Sequence, residues 1–172
     1  DRMRKIKNPW IGLEGYNCFG CCPTNPYGVK MQFYEEDNDI VCFWKPQDCY
    51  QSWINTLHGG VQSVLLDEIC GWVVSHHLHL SGVTAKMETR FRKPVAIDQP
   101  FIELRARLRE MKRNIVIVDG DIRSFEGDIL VECTCTYFTF DAANAPAEVP
   151  YMPTEVIGEE LTREEVLTSL GL

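Results

Sequence analysis

The run HGGVQSVLLDE, residues 58–68, sets two glycines ahead of a helical pattern that carries two adjacent acids, Asp67 and Glu68. Each end of this run suits chemistry. The first turn of a helix presents unpaired N–H groups at the positive end of its dipole. With no side chain at Gly59 or Gly60, a polar ligand atom can approach those groups closely, as a developing oxyanion requires. Two turns on, Asp67 offers a base or a nucleophile. An N–H donor and a carboxylate converging on one carbonyl make an acyl-transfer site, and the run predicts that both act on the same carbonyl. A plain helix start is the alternative for the Gly-Gly pair taken alone.

The helix that must position these groups has an apolar stripe formed by Val61, Leu65, Leu66, Ile69, Trp72 and Val73. Asp67 lies opposite that stripe, with the small residues Ser63 and Gly71 one turn away on either side, which leaves room for a ligand above it. Glu68 has Val64 and Trp72 as its corresponding neighbours, so it is expected to be paired or packed rather than to face substrate. A buried acid needs a partner, and Arg90 or Arg105 is a candidate for Glu68.

Around this helix the pattern is that of strands. YGVKMQFYEED and DIVCFWKP read as two strands joined by a turn at Asp37, Asn38 and Asp39. After the helix the period switches to two. Val83, Ala85, Met87, Thr89 and Phe91 are expected on one face, and Thr84, Lys86, Glu88, Arg90 and Arg92 on the other. FIELRARLREM, NIVIVDGDIR and DILVECTCTYFTF continue as long strands with short turns, hence antiparallel neighbours. The expected fold class is α+β, one long helix packed on a curled antiparallel sheet. Residues 1–27 read as irregular, 28–140 as the folded domain, and 141–172 as an acidic, peripheral connector. That connector ends in a short helix with a Thr162/Glu165 capping box.

Composition narrows the class. The chain has 172 residues, 45% hydrophobic and 24% charged, which fits one globular domain. No apolar run approaches the ~18 residues of a membrane span, and no signal-peptide pattern opens the chain. It begins at Asp1 rather than Met, so native residues are expected upstream. A net charge of −8 disfavours nucleic acid or an anionic membrane as partner. That charge is uneven, because residues 86–113 carry a local +5 and leave −13 for the remainder. A basic stretch in an acidic protein suggests a small anionic ligand, or else a solvated strand face.

Of the eight cysteines, Cys42, Cys70, Cys133 and Cys135 lie in apolar segments, so reduced thiols and a cytoplasmic location are expected. Cys18, Cys21 and Cys22 could supply three thiolates to zinc, but no second Cys/His pair stands at finger spacing, so no metal is expected. His76, His77 and His79 read as a solvated helix terminus. No Gly-x-Ser-x-Gly elbow occurs, which argues against a serine hydrolase.

Taken together, HGGVQSVLLDE, GVTAKMETRFRKPV and the preamble NCFGCCPTNPYGVKMQFY resemble the hotdog-fold thioesterases, specifically the PaaI-like acyl-CoA thioesterase group, over roughly residues 16–140. The resemblance implies a hotdog fold and hydrolysis of acyl- or aryl-acyl-CoA without a cofactor. It also implies a homodimer, or a dimer of dimers, whose sites join the glycine of one subunit to the aspartate of the other. It places the oxyanion-binding glycine at Gly59 beside the motif histidine His58, the catalytic carboxylate at Asp67 and a hydroxyl residue at Thr84. Gly60 and Ser63 are expected to line the substrate path. Many relatives carry Asn or Gln where this chain has Ser52, and the adjacent Gln51 is a substitute for orienting water. Arg90, Arg92, Lys93, Lys112 and Arg113 become candidates for the CoA phosphates. A non-catalytic acyl-CoA-binding protein and a hotdog hydratase or dehydratase are the alternative functions.

Overall fold

The computed structural model describes residues 2–172, whose elements are β1 (Met3–Ile6), β2 (Tyr34–Glu36), β3 (Asp39–Trp44), α1 (Gly59–Leu78), β4 (Ser81–Phe91), β5 (Ile102–Lys112), β6 (Ile115–Arg123), β7 (Ile129–Phe140), β8 (Val156–Leu161) and α2 (Arg163–Ser169). All strands join one antiparallel sheet in the order β4-β7-β6-β5-β3-β2-β1-β8. The chain leaves β3 in the middle of the sheet, runs through α1, and re-enters at the β4 edge. The helix thus crosses the concave side of the β5–β6–β7 meander, which curls around it.

Local chemistry sets the ends of α1. His58 caps it, its Nδ1 accepting the Gly60 N–H at 2.9 Å. His79 closes it in the left-handed conformation at φ 57°. Leu65, Leu66, Ile69, Trp72 and Val73 are buried against Cys42, Leu104, Val118, Ile122 and Val131 of the sheet, so the expected apolar stripe forms the main core. No helix among the described residues is long and apolar enough to cross a membrane.

Three sequence expectations need correction. The segment expected to be irregular contains β1, and the connector contains β8, which pairs with β1. Nor is the tail peripheral. Val166 of α2 is buried with Met3, Tyr34, Val41, Phe43 and Phe101 in a second core on the opposite face of the sheet. Arg163 reinforces this contact, its guanidinium lying 5.0 Å from the centre of the Phe43 ring and 2.5 Å from Glu103. The expected capping box is present: Thr162 Oγ1 accepts from Glu165 N–H, and Glu165 Oε1 accepts from Thr162 N–H. Third, the alternation of β4 is broken by a bulge between Thr84 and Lys86. The extra residue turns Thr84 toward α1 and leaves Val83 and Ala85 exposed.

The basic stretch is resolved by cross-strand pairing. On the convex face Arg92 pairs with Glu132, Arg107 with Asp39 and Arg109 with Asp119. Arg105 is held by Glu36, Asp39 and Glu103, so it is not the partner of Glu68. Much of the local positive charge is therefore neutralised within the sheet.

Candidate active site

Asp67 opens from the helix into a cavity of about 560 Å³. Thr84 Oγ1 donates to its carboxylate, 2.9 Å from Oδ1 and 3.2 Å from Oδ2. Tyr137 OH lies 2.8 Å from Oδ1 and 2.9 Å from the Asp67 carbonyl oxygen. Both donors favour Oδ1, which leaves Oδ2 with the freer lone pairs. Burial, with the nearby Cys70 and Asp67, pushes the Tyr137 phenol well above its ordinary range, so it remains a protonated donor. The arrangement holds the carboxylate in one orientation, as a positioned base or nucleophile requires.

Tyr137 was not apparent from the sequence. It pairs directly with Thr84 across β4 and β7, but these strands are separated by a whole hairpin, and nothing local fixes their register. If Asp67 serves as base or nucleophile, Tyr137→Phe should lower turnover about tenfold while sparing KM, since one hydrogen bond to a charged group is lost and Thr84 remains. Steady-state kinetics on a folded variant would check this.

Segments without an expected role wall the cavity. Trp10, Leu13 and Tyr16 form one side and Val149 and Pro150 another, and Trp10 Nε1 donates to the Pro150 carbonyl at 3.4 Å. Trp10 also packs edge-on against Trp72 of the helix at 5.4 Å.

Glu68 lines the same cavity and, as expected, is paired and packed there, though not with an arginine. Its Oε2 accepts the Trp72 indole N–H at 3.0 Å, and Cys18 Sγ lies 3.6 Å from Oε1. Removal from water and the nearby Cys18 push its carboxyl up to about 7. The Cys18 thiol is drawn down to about 5, chiefly by hydrogen bonding with Cys21 and with backbone N–H groups. Gly20 covers the carboxylate so closely that a Cβ there would lie 2.3 Å from Glu68 Oε1. Gly20→Ala should therefore cost about 1–3 kcal/mol of stability by overpacking, read as a lower urea midpoint at unchanged slope.

The other expected site residues lie elsewhere. His58, Gly59 and Gly60 stand at the start of α1, outside the Asp67 cavity. Eight residues of helix place Gly59 about 12 Å along the axis from Asp67, so within one chain the two do not reach a common carbonyl. Ser63 Oγ donates to the Gly59 carbonyl at 3.0 Å. Gln51 and Ser52 are exposed in the preceding loop and bonded locally, Gln51 Oε1 to Asn55 N–H and Ser52 Oγ to the Thr56 carbonyl. Arg90 and Arg92 border the convex-face hollow rather than the Asp67 cavity, and Lys93 follows beyond the end of β4. His76 is buried, not solvated: Glu35 lies 2.5 Å from its Nε2 and Thr154 2.7 Å from its Nδ1.

Residues 54–131 match the family model described as Thioesterase superfamily. Over that stretch the chain is similar to the superfamily. The hotdog-like fold of the chain, a long central helix on an antiparallel sheet, recurs in solved structures. A thioesterase superfamily protein is 23% identical with a TM-score of 0.63, the match covering 67% of this chain and 57% of that one, so this chain spans little more than half its length. A hypothetical thioesterase from Streptococcus pneumoniae TIGR4, crystallised with coenzyme A, is 27% identical with a TM-score of 0.57, covering 61% of this chain and 80% of its own. A Streptococcus mutans UA159 protein bound to acetyl CoA is 18% identical with a TM-score of 0.61, covering 76% and 97%. Among curated proteins nothing matches.

Proposed function

We propose that this chain belongs to the thioesterase superfamily and is a PaaI-like acyl-CoA thioesterase, hydrolysing an acyl- or aryl-acyl-CoA to the free acid and CoA at sites shared between two copies of the chain. The observation that carries this reading is the placement of Asp67. It is oriented by Thr84 and Tyr137 at the rim of a cavity large enough for an acyl group, on a hotdog-like fold within the stretch that matches the thioesterase model. The pneumococcal relative with bound coenzyme A lends support. Its structure is also known with an Asp replaced by Ala and with a Thr, sixteen residues further on, replaced by Ala. In this chain Asp67 and Thr84 stand at a closely similar spacing.

Gly59 is the second group of the site. Its N–H has no acceptor among the described residues. A Cβ there would meet only Phe91, at an ordinary 3.6 Å, so packing within the chain does not demand glycine. A bare position that the chain itself does not need suits approach from outside. The geometry of β4 indicates how. It is an eleven-residue edge strand that exposes Val83 and Phe91, and a long unprotected edge of this kind favours pairing. Thr84, beside Asp67, and Phe91, beside Gly59, lie about 24 Å apart along that strand. Antiparallel pairing of two β4 strands about their middle sets the Asp67 end of one copy against the Gly59 end of the other.

In that site the Gly59 N–H polarises the thioester carbonyl. Asp67 either removes a proton from water as it attacks the carbonyl carbon, or attacks it directly to form an anhydride that water then opens. Collapse of the tetrahedral intermediate breaks the carbon–sulfur bond and releases CoA. Arg90, Arg92 and Lys93 are assigned to the CoA phosphates around the sheet edge. Replacing Arg92 and Lys93 together by Ala should raise KM and spare kcat, and an unchanged KM would remove them from the CoA path.

Subunit mixing tests the shared site. Gly59→Pro deletes one N–H at a helix position that tolerates proline, and His58 already holds the extended φ −60°, ψ 132° that a residue before proline prefers. Gly59→Pro and Asp67→Asn should each be nearly inactive, yet regain about one quarter of wild-type activity when their subunits exchange, because each mixed dimer keeps one intact site. Verified exchange without recovery would rule out the shared site.

A further inference from the structure

The cavity beside Asp67 is lined by Glu14, Asp67, Glu68 and Glu148 but by no Lys, Arg or His. At its inner wall Cys18, Cys21 and Glu68 bring two sulfurs and a carboxylate oxygen within 4.8 Å of one another. No protein cation balances these donors within the lining. Tetrahedral zinc, with bonds of about 2.3 Å to sulfur and 2.0 Å to oxygen, sets its sulfur–oxygen edge near 3.5 Å. Cys18 Sγ and Glu68 Oε1 are 3.6 Å apart, so the pair already has the separation that a shared ion would impose.

The backbone around the cysteines holds them in place. Gly20 N–H donates to Cys18 Sγ at 3.3 Å, an interaction that favours the thiolate. The Phe19 and Gly20 carbonyls accept from Val29 and Met31 N–H at 2.9 Å, which fixes the turn between the two cysteines. Trp72 occupies Glu68 Oε2, leaving Oε1 for the cluster. Cys21 Sγ also has Tyr16 OH at 2.8 Å, and Cys22, whose sulfur lies 3.3 Å from Thr24 Oγ1, is not among the converging donors. The third donor is Glu68, which explains why cysteine spacing alone argued against a metal.

We propose that Cys18, Cys21 and Glu68 bind one zinc-class divalent cation, with solvent from the cavity in the fourth position. The ion joins the N-terminal segment to α1 and so braces the wall of the Asp67 cavity. Binding deprotonates both thiols, which release their protons to solvent, and involves no change of oxidation state. This assignment stands independently of thioester hydrolysis.

Cobalt titration of the full-length, reduced, chelator-stripped protein tests it. One equivalent of Co²⁺ should bind per chain with thiolate-to-cobalt absorption in the near ultraviolet and the visible bands of a tetrahedral ion, and Zn²⁺ should displace it. Glu68→Gln should weaken binding about tenfold or more, and the Cys18→Ser/Cys21→Ser double variant should lose the charge-transfer band. Cys70, Cys133 and Cys135 also converge, but within the helix–sheet core, so Cys70→Ser should leave the titration unchanged. Absence of the charge-transfer band in folded, reduced wild type would overturn the proposal, and this result needs no variant to fold. Bands that persist in the double variant would overturn it equally.

Discussion

Asp67→Asn is expected to lower kcat for thioester hydrolysis by about 10²–10⁴ while the protein remains folded, the range for loss of a positioned general base. Asparagine keeps the size of the side chain and can still accept from Thr84 Oγ1 and Tyr137 OH, so the geometry around residue 67 is preserved. What disappears is the anionic oxygen that takes a proton from water or attacks the carbonyl. Glu68→Gln provides the contrast. Its carboxylate shares the cavity but is engaged by Trp72 and faces the Cys18–Cys21 turn. That substitution should alter stability and metal binding while retaining most turnover. If Glu68→Gln abolished activity in a folded protein and Asp67→Asn did not, the catalytic acid would be Glu68.

The largest stability effect is expected at Arg105. This guanidinium, 15% exposed, holds Glu36, Asp39 and Glu103, and the side chain of Glu103 is only 3% exposed. Arg105→Met fills similar space but leaves three carboxylates without their common counter-charge. Breaking a buried ion pair from one side costs about 3–5 kcal/mol, which for a chain of this size lowers Tm by on the order of 10 °C. The pH dependence supplies a second readout. Burial pushes the Glu103 carboxyl up, but Arg163 and Arg105 more than reverse this and hold it below the usual carboxylate range. In wild type Glu103 therefore contributes stability above the ordinary glutamate pKa, and that contribution is lost as pH falls through the lower folded value. Without Arg105 the carboxyl moves back up, so the difference between wild type and variant should shrink on acidification. Urea melts of both proteins at neutral and acidic pH would measure this, and a constant difference would contradict the assignment.

The parts of the fold legible in the sequence are those with a long, uninterrupted period. Helix α1 and strands β4 to β7 are each long enough for the apolar stripe or the alternation to identify them. Strands β1 and β8 were not legible. MRKI and VIGEEL are short, mix charge with apolar residues, and gain their partners only when opposite ends of the chain meet. The site divides in the same way. Asp67 could be found because small residues flank it on a helix of known period. The approach of Thr84 to Asp67 could not be found from alternation, because the bulge after it reverses the face that a regular strand would present. Tyr137, Glu68 at the cysteine turn, and His76 on Glu35 all depend on contacts between distant segments, which no local pattern encodes.

Cleavage of a thioester, as opposed to binding of acyl-CoA alone, is what distinguishes the proposed enzyme from a binding protein of the same fold. Its most direct test is release of free CoA thiol by the purified wild-type chain, followed with a thiol reagent across short, long and aromatic acyl-CoAs. The expected result is saturable, enzyme-dependent CoA release from at least one of them, lost in Asp67→Asn. Calorimetric binding of acyl-CoA without release of CoA from any member of the panel would rule out thioester hydrolysis and identify a binding protein instead.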